Sequence, residues 1–198
     1  MTQAIDGKSV EDRLLDAAEE CLQRFGAQKT SMEDVARAAG LSRATVYRYL
    51  ENRDALLLGV ASRQASRLAA DAVGYLARFD DIRDWLVEGL LFTLRELPKR
   101  PVFASLVTSL DSRSGSTLLL GSRGMIDIGV DVLKPTFDIA QQRGLLREGI
   151  DLDFLIEWLL RVLWTYLNAP SQVAEDEDGM RQLFKMMLLP VVLKDPSV

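Results

Sequence analysis

Between Ser42 and Leu50 the chain reads SRATVYRYL, in which Arg43, Ala44, Thr45, Tyr47 and Arg48 occur with no carboxylate among them. These side-chain types suit an encounter with a nucleic-acid duplex. Arginine offers a bidentate fork to a guanine edge, threonine a hydroxyl and a methyl, and alanine a small apolar contact for a thymine methyl. Tyr47 is better matched to a phosphate oxygen than to a base; Arg48 suits a phosphate and is long enough to reach a base edge. Val46 and Leu50, one turn apart, are left for a buried side, and Ser42 is a good N-cap for a helix that carries the set.

The preceding residues supply a platform for that helix. Thr30 with Glu33 has the spacing of a capping box, and Val35, Ala36 and Ala39 give an inward face of small side chains. Gly40 then tolerates the left-handed conformation with which helices commonly end. Two short helices joined by a tight turn are the expected outcome, with Thr30 and Ser31 able both to cap a helix and to present its N-terminus to a phosphate. Upstream, Val10, Leu14, Ala17, Ala18, Cys21, Leu22 and Phe25 recur at helical spacing up to Gly26, predicting a first helix that roofs the pair. Cys21 falls on that stripe and is read as a small core residue.

The first helix, Gly26, TSMEDVARAAGLSRATVYRYL and the following NRDALL together resemble the N-terminal DNA-binding domain of the TetR family of bacterial transcriptional regulators. The likeness is detailed over about a quarter of the chain. Arg53 stands where that family usually has lysine, which keeps a cation for phosphate while changing the donor geometry. The resemblance implies an all-α protein, with a three-helix helix-turn-helix domain over residues 1–54 and a helical ligand-binding and dimerisation domain over 55–198. It further implies a homodimer formed through the last two helices, a double-stranded DNA operator of roughly palindromic sequence, and a small, largely apolar effector that releases DNA. A DNA contact set of Thr30, Ser31, Ser42, Arg43, Ala44, Thr45, Tyr47, Arg48 and Arg53 follows. The alternative is a helical ligand-binding or scaffold protein whose DNA reader is silent.

A formal net charge of −5 is unusual for a DNA binder, and residues 1–54 alone carry eight Lys/Arg against ten Asp/Glu. What matters is the charge facing the phosphates, since exposed charges are screened beyond about 10 Å at 0.1 M salt. From Arg37 to Arg53 four arginines face Glu51 alone. A single cysteine permits no internal disulfide and suits a reducing cytoplasm. No secretory signal is evident at the start, and no run of about 20 apolar residues is free of charge, so no membrane span is expected.

Downstream, Asn52 should cap a long helix from about Arg53 towards Leu76, joining the reader to the rest. Ile82, Trp85, Leu86, Gly89, Leu90 and Thr93 mark the next helix, stopped by Pro98 and Pro101. A shorter helix is expected over about 101–110, a polar link over 112–116, and then a helix from about Ser116 carrying Met125 and an internal Pro135. Asp151 and Asp153 open FLIEWLLRVLWTYL, apolar nearly all round and therefore in need of cover on more than one side. The acidic run Glu175–Asp178 sits at the start of a final helix carrying Met180, Leu183, Phe184, Met187, Leu188 and Val191, where the dipole favours negative charge.

Trp85, Phe92, Phe103, Met125, Trp158, Arg161 and Thr165 form a candidate lining for an apolar cavity with a few polar handles, the usual composition of a small-molecule site. Ordinary core packing accounts for the same residues. Arg161 has Glu157 one turn before it, so an intrahelical ion pair and an anion-binding role are both open. Enzyme chemistry is poorly supplied. Histidine is absent, the lone cysteine has no imidazole partner, and pairs such as Asp151/Asp153 or Asp127/Asp131 are explained as helix-start or solvent-facing charge. No catalytic residue, metal site or cofactor is expected.

Overall fold

The computed structural model describes residues 9–103, 106, 119–120 and 122–195. The described residues are all-α: α1 (Val10–Phe25), α2 (Met32–Ala39), α3 (Arg43–Tyr49), α4 (Arg53–Leu76), α5 (Ile82–Glu96), α6 (Arg123–Gln142), α7 (Leu152–Asn168), α8 (Glu177–Met187) and α9 (Leu189–Val192). Most of the expected 101–110 helix and the 112–116 link lie outside the described residues. The start expected near Ser116 lies outside the described residues; Arg123–Gln142 form a helix behind Ser122 that carries Met125 and continues through Pro135. No described helix is long and apolar enough to cross a membrane.

Apart from α6 and α9, whose starts carry no side-chain cap bond, each start follows from a side chain that takes up a free N–H. Ser9 accepts from the Asp12 amide at 3.0 Å, Asn52 from Ala55 at 2.9 Å, Asp151 from Phe154 at 3.0 Å and Asp176 from Gly179 at 2.7 Å. Stops are equally local: α1 ends at Gly26 and α2 at Gly40, with φ of 77° and 64°.

The chain divides into two compact units, one made of residues up to Gln64 with the segment 100–121, the other of Ala65–Lys99 with Ser122 onward. The division falls inside α4. In the first unit Leu14, Ala18, Leu22, Val35, Val46, Leu56, Leu57 and Val60 are at most 1% exposed and form the core under the reader. Leu15 joins them, whereas Phe25, expected on the same stripe, is 43% exposed and carries Arg24 over its ring. Cys21 is buried, and burial pushes its thiol up from the ordinary value, the behaviour of an inert core residue. In the second unit α5, α6, α7, α8 and α9 share one core around Leu90, Leu133, Phe137, Ile156 and Leu188. Gly129 lets α6 close on α7, since a Cβ there would stand 2.6 Å from Cγ2 of Ile156. An antiparallel bridge between Leu146 and Leu193 fastens the end of the described chain.

Candidate nucleic-acid interface

The local geometry of α2 and α3 comes from three hydroxyls and one glycine. Ser31, rather than Thr30, is the N-cap of α2, and its box partner is Asp34 rather than Glu33. The Asp34 amide donates to Ser31 Oγ at 3.2 Å and the Ser31 amide returns a bond to Asp34 Oδ2 at 3.3 Å. Hydrogen bonds from Ser31, with Arg37 adding its charge, hold the Asp34 carboxyl below the usual range. Thr30 is 2% exposed and its hydroxyl donates to the Gly26 carbonyl at 2.9 Å. The hydroxyl of Thr30, a residue expected at a phosphate, is thus bonded inside the protein in this structure.

Between the helices Gly40 adopts φ 64°, ψ 35°, and the Leu41 amide reaches back to the Ala36 carbonyl at 3.0 Å. An added Cβ would meet nothing within 4 Å, so the demand for glycine here is purely conformational. Ser42 then caps α3 by accepting from the Thr45 amide at 3.1 Å, and the Ser42 and Thr45 hydroxyls lie 2.9 Å apart. Val46, fully buried, and Leu50, 7% exposed, pin α3 to the core. Arg43, Ala44, Tyr47 and Arg48 are exposed and Thr45 is half-buried at the same surface.

Two arginines have protein partners. Arg43 Nη1 lies 3.2 Å from Glu33 Oε1, with both side chains substantially open to solvent. Such an exposed pair is weak and yields readily to a stronger anion or a base edge. Arg53 is held differently: its Nε donates to the Thr30 carbonyl at 3.3 Å and its Nη2 to the Ala27 carbonyl. Arg53, expected at a phosphate, thus has its Nε and Nη2 engaged by the protein's own carbonyls. This residue braces the α1–α2 turn against the start of α4, a task for which a planar fork with several donors is better built than an ammonium. The sequence reading missed Tyr49, which is 42% exposed with Arg48 stacked at 5.3 Å from its ring centroid. Its signal was available, since it sits one position before the buried Leu50 and cannot share that side.

The effector candidates fall in both compact units. Phe103 belongs to the first compact unit, the others to the second. Phe92 is buried and stacks on Tyr75 at 4.8 Å, Met125 is buried, and Trp85 packs at the edge of the core. Trp158 is 42% exposed. Arg161 donates through Nε to Glu157 at 3.2 Å, and the Thr165 hydroxyl donates to the Arg161 carbonyl at 2.9 Å. A cavity of about 390 Å³ in the second unit is lined instead by α5, α7 and the approach to α8, including Leu91, Leu94, Arg95, Tyr166, Leu167 and Met180. None of the seven expected residues lines it.

Residues 14–60 match the model of the bacterial regulatory proteins of the tetR family. The chain is 31% identical over 167 residues to the HTH-type transcriptional regulator AlkX of Mycobacterium tuberculosis, covering 83% of this chain and 78% of that protein. Among solved structures it is similar in fold to the TetR family repressor AlkX from Dietzia sp., at 22% identity, a TM-score of 0.66 and coverage of 89% and 93% of the two chains. The transcriptional repressor QsdR of R. erythropolis gives a TM-score of 0.67 at 20% identity, over 90% and 94%.

Proposed function

We propose that this chain, which belongs to the TetR family of bacterial regulatory proteins, is a repressor that binds a palindromic operator as a homodimer and is released by a small, largely apolar effector. The observation that carries the reading is α3 itself: a helix held from behind by Val46 and Leu50 with Arg43, Ala44, Tyr47 and Arg48 turned outward. Its N-terminal end enters a major groove. Arg43, Ala44 and Thr45 meet base edges, while Ser31, Ser42, Tyr47 and Arg48 hold phosphates, with Tyr49 beside them.

Support for the dimer comes from apolar surface that the monomer leaves uncovered on its last helices. Phe154 is 74% exposed, Met186 66% and Met187 58%, large apolar side chains of the kind a partner subunit covers. Repression is supported by the relatives whose names describe repressors, and a largely apolar effector by Leu91, Leu94, Leu167 and Met180 in the cavity wall, which Arg95 and Glu175, Asp176 and Glu177 complete with charge.

A fluorescence-anisotropy titration against the DNA flanking the chain's own gene tests the reading. A complex is expected whose affinity falls steeply with salt. Tyr47→Ala should weaken all sequences about equally, whereas Thr45→Ala should alter the preference between them, each by about 1–3 kcal/mol. A folded, dimeric protein that forms no salt-sensitive complex would instead be a helical binding protein with a silent reader. Uniform scaling by both variants would undo the assignment of contacts.

A further inference from the structure

The packing of α1 against α4 contains a polar fork within an apolar seam. Leu56 and Val60 of α4 are fully buried against the reader core, and Gly59 lets the helices close, since a Cβ there would stand 3.1 Å from Cδ2 of Leu15. One turn on, on the same face, Arg63 donates from Nε to Glu19 Oε1 at 2.8 Å and from Nη1 to Asp16 Oδ1 at 3.0 Å. Gln64, itself 7% exposed, donates to the same Glu19 oxygen at 2.8 Å. The Arg63 and Glu19 side chains are only 15% and 13% exposed.

Apolar contact is non-directional and leaves two helices free to roll by a few degrees. A planar guanidinium gripping two carboxylates one turn apart on the facing helix does not. The arrangement is poorly explained as a source of stability. Buried ion pairs give up hydration that their attraction barely repays, and Arg63 Nη2 is buried with no hydrogen-bond partner among the described residues. What the fork supplies is a fixed angle, within the first unit, between α1 and the part of α4 up to Gln64.

We infer that Glu19, Arg63 and Gln64 are positioning residues that set the pitch of the reader on α4, and thereby the half-site spacing that the dimer accepts. The inference rests on the palindrome-reading dimer proposed above. The fork acts on DNA through α1 and the reader core; none of the three residues needs to touch the duplex.

The test is a set of operators with one base pair inserted or removed at the centre. Each change moves the half-sites by about 3.4 Å and turns one by about 35° relative to the other. Wild-type protein should lose at least about tenfold in affinity for each altered operator, because simultaneous engagement is lost. The double variant Glu19→Gln with Arg63→Met keeps an acceptor for Gln64 and removes both charges of the Arg63–Glu19 pair together. It should melt within about 3 °C of wild type. Its affinity should fall by less than about threefold on the same altered operators. Arg63→Lys, which keeps the charge without the fork, should fall between, and carries the test if the double variant does not fold. A merely structural role would lower affinity at every spacing alike. Variants with the wild-type spacing profile overturn the inference and leave the dimeric reader standing. Wild-type protein that binds no inverted repeat overturns the reading on which the inference rests.

Discussion

The outward residues of α3 lie within six consecutive positions, whereas the walls of the cavity in the second unit are gathered from Leu91 to Met180 across α5, α7 and the approach to α8. In the first region function is a surface property. Its side chains point away from a core that only has to hold the helix still, and their chemistry is visible in the order in which they are written. In the second, any function is a property of the interior, where the same aliphatic side chains that could receive a ligand also fill space. The sharpest local chemistry of the second unit is accordingly a polar network. Glu88, 9% exposed in α5, accepts from Arg181 Nε at 2.7 Å and from the Tyr75 hydroxyl at 3.1 Å. Arg181 and Arg95 meet again at Glu177, at 2.9 and 3.2 Å.

That network offers the largest effect by which the contrast can be broken. Burial alone would push the Glu88 carboxyl up, but the hydrogen bond and charge of Arg181, with help from Tyr75 and Arg95, outweigh it and hold the group below its ordinary value of 4.5. A folded-state value below the unfolded one means a stabilising contribution present above about pH 4.5 and lost as the pH falls through the lower folded value. Glu88→Gln should therefore cost about 1–3 kcal/mol at pH 7 by denaturant unfolding, with the difference from wild type shrinking in acid below that range. No member of the α3 face should show a comparable loss, because each of its exposed side chains already meets solvent. A large stability loss in Arg48→Ala, or none in Glu88→Gln, would erase the distinction between the outward face of α3 and the inward-facing second unit.

Two glycines sharpen it at smaller scale. Gly40→Ala meets no atom within 4 Å but must hold φ 64°, a cost of about 1–2 kcal/mol that should fall on the α2–α3 turn and so on DNA affinity. Gly129→Ala has ordinary helical φ but drives a Cβ towards Ile156, and the resulting overpacking should cost about 1–3 kcal/mol in the second unit while leaving DNA contacts intact. Urea unfolding paired with anisotropy titrations would separate the two. Equal loss of DNA affinity in both would mean that the second unit controls the reader more tightly than chain connectivity through α4 requires.

What the sequence made legible follows the same division. Ser42, Val46, Leu50 and Gly40 were readable because their roles depend on neighbours within four residues. The exchange of Thr30 and Glu33 for Ser31 and Asp34 was not, because both pairs have the same spacing. The choice between them is made by the burial of Thr30 against the end of α1, a tertiary fact. The bracing bonds of Arg53 were illegible for a related reason: a cation after a reading helix suits a phosphate, and only the fold brings the Ala27 and Thr30 carbonyls to its guanidinium. Of the effector set, Phe92 and Met125 turned out to be core, Trp158 surface, and Phe103 part of the other unit. Hydrophobicity alone does not distinguish a wall from a filling.

Arg161 is where the smallest effect decides the most. It stands in α7 as a cation among Leu159, Leu160, Val162 and Leu163, which by composition alone suggests a ligand-binding charge. In the structure its side chain is 55% exposed and paired with Glu157 one turn before it. A helical pair in that register is stabilising by about 0.3–0.5 kcal/mol, so Arg161→Ala should shift the unfolding midpoint barely beyond error. Because the side chain does not line the cavity walled by Leu91 and Met180, the same variant should leave intact any release of DNA by an apolar compound that fills that cavity. Release lost in Arg161→Ala with stability unchanged would place the ligand against the outer face of α7. There Phe154 and Trp158 are also exposed, and the effector would then act at the surface assigned to the dimer partner.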